Sequence, residues 1–166
     1  MQQALLWKTE DDTRRSASAL AAQAAVHNAF IALQGDLGAG KTSFVRHLLR
    51  ALGVAGRIKS PTYAVVEPHQ ALLPDGAALP VWHFDFYRFT DPREWEDAGF
   101  RELFASPGLK LAEWPEKAAA LLPLADLELT LTVRSDEARE VRLQARTAAG
   151  ERLKAALQGT DDHAPT

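Results

Sequence analysis

The stretch Gly35-Asp36-Leu37-Gly38-Ala39-Gly40-Lys41-Thr42 has the pattern G-x-x-x-x-G-K-T and decides the fold class of this 166-residue chain. It directly follows the apolar run 30–33 and opens a segment of helical period. A glycine-rich turn between a strand and a helix lets successive backbone N–H groups surround an anion at the positive end of the helix dipole. The stretch therefore predicts a phosphate-binding loop, which we call the P-loop.

The last two residues of the P-loop indicate which anion binds. The Lys41 ammonium can reach the terminal phosphates of a nucleotide, and the Thr42 hydroxyl can ligate Mg²⁺. Together they predict a nucleoside triphosphate with magnesium as the ligand. The predicted phosphate-binding set comprises Gly35, Gly38, Ala39, Gly40, Lys41, Thr42 and Ser43.

The composition, with 46% hydrophobic and 25% charged residues, is typical of one globular domain with its own core. The absence of cysteine excludes disulfides, thiolate metal sites and a cysteine nucleophile. The net charge of −3 argues against a protein that binds nucleic acid alone through a basic surface, so we expect a partner to hold any RNA. The sequence has neither a signal-peptide core nor an apolar run long enough to cross a membrane, and we expect a cytoplasmic protein.

Apolar periodicity predicts alternating strands and helices. The predicted strands lie at 4–7, 30–33, 63–67, 81–86 and 109–112, and the stretch 70–80 is a loop or hairpin turn. The predicted helices begin after the N-cap candidates Asp11 and Asp12, at Lys41 with a stop at Gly53, at Pro92 and at Pro115. The first of these helices is expected to bury a stripe made of Ala17, Leu20, Ala21 and Ala24.

Towards the end of the chain the pattern changes to the period of strands. The segments 127–133 and 141–145 alternate apolar and polar residues, which predicts an antiparallel hairpin with one buried face. We therefore expect an α/β fold, a three-layer P-loop NTPase-like domain with a central mixed sheet and a C-terminal antiparallel hairpin. This domain would span residues 1–158, followed by a disordered tail at 159–166.

Two acids stand at the carboxyl ends of predicted strands, where an open α/β sheet places its ligand. Asp85 follows the mostly apolar run 81–84, and Glu113 follows the run 109–112. Acids in this position can ligate Mg²⁺ directly or through water and can orient an attacking water molecule. Alternatively, either acid caps a turn, and the residues alone leave open which of the two contacts the metal.

Three other residues have both a functional and a structural interpretation. Thr62, within Ser60-Pro61-Thr62-Tyr63, can sense the γ-phosphate as switch segments do, or belong to a Ser-Pro turn before a strand. His83 has hydrophobic neighbours on both sides and is interpreted as a packed or hydrogen-bonded residue, not as a base. Trp114 is a candidate contact for a nucleotide or a partner and equally a half-buried packing residue.

These motifs together resemble those of the bacterial TsaE family, also called YjeE. The shared motifs, in the same order and spacing, are the P-loop extended through Ser43-Phe44, Ser60-Pro61-Thr62-Tyr63, His83-Phe84-Asp85-Phe86-Tyr87-Arg88, Asp91-Pro92 with Glu94, and Glu113-Trp114-Pro115. The resemblance implies a weak Mg²⁺-dependent ATPase required for N6-threonylcarbamoylation of the adenosine beside the anticodon in tRNAs that read codons beginning with A. It also implies action with the TsaB and TsaD proteins, with TsaC making the threonylcarbamoyl-adenylate and tRNA contacted through the partners.

The resemblance further implies roles for single residues. Lys41 and the amides of 38–43 would hold the phosphates. The metal and water site would consist of Thr42, Asp85 and Glu113, with Glu113 the residue most needed for hydrolysis. Thr62 would be a switch-like sensor, and the candidates for contact with adenine are Asp11 and Arg139.

Two positions depart from the family pattern. Phe86 stands where the family usually has leucine, and the stretch 70–80 is longer than usual. The second departure lies between matched motifs, so it affects expectations about partner contacts and not about the ATP site.

GTPases and small metabolite kinases also contain a P-loop. A GTPase is expected to read guanine with an Asn-Lys-x-Asp motif, and the single asparagine of this chain, Asn28, lies in the first predicted helix, which excludes that motif. A small P-loop kinase acting on a metabolite needs an arginine-bearing lid. The sequence shows no helical lid pattern before Asp85, and only Arg93 and Arg101 are candidates after Asp91. The kinase therefore remains the less favoured alternative. A nucleotide-dependent binding module, in which hydrolysis is only a timer, overlaps with the family role and is not distinguished from it by the sequence.

Overall fold

The computed structural model describes residues 3–61, 65–97 and 99–160, which form a seven-stranded sheet with helices on both faces. The strands are β1 (Gln3–Trp7), β2 (Phe30–Gln34), β3 (Val66–Leu72), β4 (Ala78–Asp85), β5 (Leu109–Glu113), β6 (Leu127–Val133) and β7 (Arg139–Ala145). The helices are α1 (Glu10–Ala21), α2 (Lys41–Ala51), α3 (Pro92–Asp97), α4 (Phe100–Ala105) and α5 (Ala148–Gln158), with short 3₁₀ helices at Ala24–Asn28 and Pro115–Ala118.

The strand order is β1-β7-β6-β2-β5-β4-β3, and the strands at the centre of the sheet are parallel. Strand β2 is parallel to both of its neighbours, β5 and β6, and β4 is parallel to β5. The outer pairs β3–β4, β6–β7 and β1–β7 are antiparallel. Because parallel strands have their carboxyl ends on the same side of the sheet, the P-loop after β2 lies near the carboxyl ends of β5 and β4.

The alternation of side chains along each strand produces two cores. Residues such as Ile31 and Leu33 of β2 point to the layer of α1, α2 and α5, which is filled mainly by leucine and valine. The opposite face, under α3 and α4, carries an aromatic cluster in which the ring of Phe84 stacks on Phe104 with centroids 4.6 Å apart. None of the described helices has the length and apolar character needed to cross a membrane.

This architecture confirms the predicted three-layer α/β fold with a central mixed sheet and an antiparallel hairpin near its end. Strand β1 lies at the sheet edge as expected, and α2 begins at Lys41. Gly53 follows the last turn of α2 in the left-handed region, at φ +90°, which is the helix stop read from the sequence.

The start of α1 differs from the prediction. Thr9, not Asp11 or Asp12, is the N-cap, and its hydroxyl accepts a hydrogen bond from the Asp12 amide at 3.2 Å. The Asp12 carboxylate accepts in return from the Thr9 amide, so the two residues form a capping box. Ala24 is also outside α1, because the helix ends at Ala21 and a 3₁₀ helix follows.

The stretch 70–80 was predicted to be a loop or a hairpin turn, and it contains a hairpin turn, but most of its residues belong to the two strands. Strand β3 starts at Val66 and continues to Leu72, and β4 starts at Ala78, so only the segment around Asp75 and Gly76 forms the turn. Pro80 is a strand residue, because it pairs with Gln70 within the hairpin. Pro115 begins a 3₁₀ helix of four residues instead of a longer helix.

Helix α5 follows the final hairpin and was not predicted. The Thr147 hydroxyl caps it by accepting from the Gly150 amide at 3.0 Å, and Leu153 and Leu157 are its buried apolar anchors. A strand-period hairpin followed by an alanine-rich segment has a weak helical stripe, which explains the omission. Within the segment 159–166, which the sequence predicts to be a disordered tail, the Thr160 hydroxyl is hydrogen-bonded to the Ser16 hydroxyl of α1 at 3.1 Å. Residues 161–166 lie outside the described part of the chain.

Candidate functional site

The P-loop turns sharply between β2 and α2. Gly40, the N-cap of α2, adopts φ +104° and has no side chain to occupy the amides of the first helical turn. Gly35 passes so close to β6 that an added Cβ would lie 2.5 Å from the Leu131 carbonyl oxygen. The helix N-terminus therefore presents uncapped N–H groups to the space above the loop, as an anion site requires.

Lys41 places a buried ammonium in this site. Its Nζ donates to the carbonyl oxygen of Gly35 and lies 3.7 Å from the centroid of the Trp114 ring. Trp114 holds that ring from a left-handed backbone conformation, φ +56°, which is rare for an aromatic residue. Burial lowers the pKa of Lys41, while the negative charge of Glu113 acts in the opposite direction.

Glu113 lies at the end of β5 and is 2% exposed. Its Oε1 accepts a hydrogen bond from the Thr42 hydroxyl at 2.9 Å, and its Oε2 lies 2.5 Å from Nε2 of His83 on β4. These contacts join the P-loop, β5 and β4 through one carboxylate. Between the two predicted acids, Glu113 is therefore the one bonded to the P-loop hydroxyl.

Asp85 stands beside Glu113 in the register of β4 and β5. Its Oδ1 accepts from the Tyr87 amide at 3.0 Å, which holds the half-buried carboxyl at the strand end. Burial raises the pKa of Asp85, and the neighbouring charge of Glu113 raises it further. A cation between the two acids would favour their ionised forms.

A cleft of about 460 Å³ joins these groups. The predicted site residues that line it are Gly38, Gly40, Lys41, Thr42, Ser43, Asp85, Glu113 and Arg139. Gly35 contributes through its carbonyl oxygen, and Ala39 is buried beneath the loop. Asp11 is not brought into the cleft, because it is exposed and pairs with Arg14 at 2.7 Å. Thr62 lies outside the described residues.

Arg139, at the start of β7, holds the P-loop backbone from the side. Its Nε donates to the Ala39 carbonyl oxygen at 3.1 Å, and a terminal nitrogen donates to the Gly38 carbonyl oxygen at 3.4 Å. Another terminal nitrogen donates to the carbonyl oxygen of Glu137. The arginine thus connects the hairpin to the loop that faces the cleft.

The structure adds residues that the sequence reading missed. Glu10, at the start of α1, accepts from the Ser43 hydroxyl at 2.5 Å and lies 2.7 Å from His47 Nε2. These two hydrogen bonds lower the pKa of Glu10. Trp7, Lys8, Thr9 and Thr13 also line the cleft. The only signal for them was the resemblance, which implied that Asp11, near the start of the first helix, contacts adenine.

The donor set agrees with a magnesium-bound nucleotide. Among the described residues, no group of three acids, histidines or cysteines could hold a metal by itself. Mg²⁺ in nucleotide sites is commonly held by one or two carboxylates, a hydroxyl and phosphate oxygens, with water completing the shell. Thr42, Asp85 and Glu113 supply that partial set next to a phosphate cradle.

Comparisons with known proteins identify the family of the chain. The family model described as "Threonylcarbamoyl adenosine biosynthesis protein TsaE" matches residues 7–141. The tRNA threonylcarbamoyladenosine biosynthesis protein TsaE of Haemophilus influenzae is 40% identical over 125 residues, which are 75% of each chain. Its counterpart from Bacillus subtilis is 33% identical over 160 residues, 96% of this chain and 95% of the relative. The crystal structure of Bacillus subtilis YdiB matches 98% of this chain and 99% of its own, with a TM-score of 0.72 and 29% identity.

Proposed function

Because this chain belongs to the TsaE family of threonylcarbamoyladenosine biosynthesis proteins, we propose that it binds and hydrolyses ATP in support of tRNA threonylcarbamoylation. The observation that carries the proposal is the hydrogen bond of 2.9 Å from the Thr42 hydroxyl to the Glu113 carboxylate, with Asp85 beside it. A P-loop hydroxyl bonded to an acid on the neighbouring strand is the arrangement that hydrolysis of a triphosphate needs.

The P-loop amides and Lys41 bind the phosphates in this proposal. Lys41 leaves the Gly35 carbonyl oxygen and turns its ammonium towards the β- and γ-phosphates. Arg139 holds the loop carbonyls back, so that the N–H groups stay directed at the ligand. The region between the start of α1 and Arg139 receives the nucleoside, with Thr9 and Glu10 in place of Asp11.

Thr42, Asp85 and Glu113 would hold Mg²⁺, which supplies positive charge to the phosphate oxygens when bound. Glu113 and Asp85 orient a water molecule for in-line attack on the γ-phosphorus. A bond forms between the water oxygen and the γ-phosphorus while the bond from the γ-phosphorus to the bridging oxygen breaks. The proton that the water loses passes to solvent, and ADP and phosphate leave. Lys41 stabilises the charge that develops on the phosphate oxygens.

The proposal extends to partners and location. The chain acts in the cytoplasm with TsaB and TsaD, and these partners hold the tRNA. The net charge of −3 supports this assignment, because it disfavours independent binding to a polyanion. The relatives themselves are named as tRNA threonylcarbamoyladenosine biosynthesis proteins, which supports a role in the same pathway.

Reconstitution tests the function. The mixture contains the chain, TsaB, TsaD, TsaC, threonine, bicarbonate, ATP and unmodified tRNA, and modified nucleoside is measured over time. We expect multiple turnovers only when the chain is present, and a Lys41→Ala variant to behave like its omission. Multiple turnovers at the same rate without the chain would contradict the proposal, and transfer of phosphate to a small metabolite would favour the kinase.

A further inference from the structure

His83 is a buried histidine that the proposed reaction does not use directly. It is 1% exposed and lies on β4, two residues before Asp85. We propose that His83 is a positioning residue that fixes the orientation of the Glu113 carboxylate towards Thr42 and the phosphate-binding cleft. This inference rests on the proposed function, because it assigns His83 a role in the same hydrolytic site.

The hydrogen bonds of Glu113 define its orientation. One carboxylate oxygen accepts from Thr42 at 2.9 Å and the other is 2.5 Å from His83 Nε2. Since a carboxylate can only accept, Nε2 carries the hydrogen of the second bond. Each oxygen of the carboxylate therefore has its own donor.

Two hydrogen-bond donors are needed because the carboxylate group of a glutamate rotates easily about the last side-chain bond. The last side-chain torsion of glutamate has a broad energy profile, so one hydrogen bond does not determine the carboxylate plane. With Thr42 alone, the plane could rotate about that contact. The His83 bond removes this freedom before any ligand arrives, which is the preorganisation that a reactive site requires.

Packing alone does not account for a histidine at this position. Val81 lies two residues before His83 on the same face of β4, and Leu111 is the partner of His83 on β5. Both residues are fully buried and apolar. Burying an imidazole has a desolvation cost that an apolar residue avoids. His83 Nδ1 has no hydrogen-bond partner within the described part of the chain, so the bond to Glu113 is the polar contact that offsets this cost.

Two variants of His83 separate positioning from packing. His83→Leu keeps most of the volume and removes the donor, whereas His83→Gln keeps an N–H near the position of Nε2. For His83→Leu we expect kcat of ATP hydrolysis to fall by about tenfold to a hundredfold, the range found when a partner of a metal-site ligand is removed. The Kd of ATP measured with EDTA should stay within about twofold, because the phosphate cradle is intact. His83→Gln should recover much of the lost kcat.

His69 offers a matched control. It is a half-buried histidine on the adjacent strand β3, and no hydrogen bond between it and Glu113 is present. His69→Gln should leave kcat and Kd unchanged. An unchanged kcat in folded His83→Leu would overturn the inference, as would an equal loss of kcat in His83→Gln and His83→Leu.

A measurement on the ligand-free protein tests the contact even where a variant fails to fold. Proton NMR of the wild type should show a protected, low-field imidazole N–H resonance from His83, which moves upfield in Glu113→Gln. Absence of that resonance, or its persistence unchanged in Glu113→Gln, would contradict the inference. The proposed function is tested separately, because the NMR experiment reports only on the contact between His83 and Glu113. A wild-type protein that neither binds nor hydrolyses ATP would refute the proposed function.

Discussion

At the scale of single residues, the site holds charges in positions that cost the ligand-free protein stability. Burial raises the pKa of Asp85 and lowers the pKa of Lys41, so both environments disfavour the charged form. Bound phosphates and a cation would compensate both charges. Binding sites commonly carry such a cost because their groups are arranged for the ligand.

Asp85→Asn should make the ligand-free protein more stable at neutral pH while weakening magnesium-dependent ATP binding. When a carboxyl has a higher pKa in the folded state than in the unfolded state, the folded protein loses stability as the pH rises from the unfolded pKa towards the folded pKa. The wild type should therefore lose stability relative to Asp85→Asn as the pH rises from about 4, the ordinary pKa of an aspartate, towards the raised pKa of the folded state. Thermal unfolding across this range measures the difference. A gap that stays constant with pH would show that the ionisation of Asp85 is not its source.

Arg139→Leu should weaken ATP binding by about tenfold, which corresponds to about 1.4 kcal/mol. The variant loses the hydrogen bonds to the carbonyl oxygens of Ala39 and Gly38, so the loop is less restrained. Titration calorimetry measures the change. The control is Arg142→Leu on the same strand, whose exposed side chain pairs with Glu140 at 3.1 Å. Equal affinities for the two variants would contradict the role of Arg139.

At the scale of elements, the P-loop lies close to the strands that surround it. Gly35 lies against the Leu131 carbonyl, and Arg139 connects the loop to β7. Strand β5 lies next to β2 and carries Glu113 to the hydroxyl of Thr42. The position of the loop therefore depends on the strands around it as well as on its own glycines.

Gly35→Ala should destabilise the protein by about 1–3 kcal/mol, the usual cost of an added methyl group in a packed region. Its Cβ would lie 2.5 Å from a backbone oxygen, and the backbone is at φ +147°. Gly56→Ala is the control, because Gly56 also has a positive φ, +76°, but nothing within 4 Å of the added Cβ. Urea unfolding compares the two. If Gly35→Ala loses no more stability than Gly56→Ala, strand β6 moves to accommodate the methyl group and the prediction is wrong.

At the scale of the whole molecule, α5 completes the helical layer that supports the site. Leu153 and Leu157 are fully buried in the same core as Leu48 and Leu49 of α2. The sheet and the layer of α1, α2 and α5 therefore share one apolar core from the first strand to the last helix, and the aromatic cluster packs on the other face of the same sheet. We expect the described part of the chain to unfold as one cooperative unit.

Leu153→Ala should lower the free energy of unfolding by about 2–5 kcal/mol through loss of apolar contact and formation of a cavity. Because the core is shared, helix content and tryptophan fluorescence should change in a single transition, in the variant as in the wild type. Chemical unfolding followed by circular dichroism and fluorescence measures both. Two separate transitions would contradict the prediction of one domain over residues 1–158.

Contiguous patterns of the sequence determined much of this protein. The glycine spacing of 35–42, the helical stripe that follows and the period of two in 127–133 were sufficient for the P-loop, α2 and the hairpin. Such patterns express short-range preferences, which depend little on the rest of the chain. Asp85 and Glu113 were found as strand-end acids for the same reason.

Only the tertiary structure decided which distant residues meet. Glu113 is bonded to Thr42 because the strand order places β5 next to β2, and that order results from burying both sheet faces at once. Glu10 reaches Ser43, and Asp11 turns away to Arg14, because the capping box sets where α1 begins. These contacts depend on the packing of whole layers, which no local pattern of residues encodes.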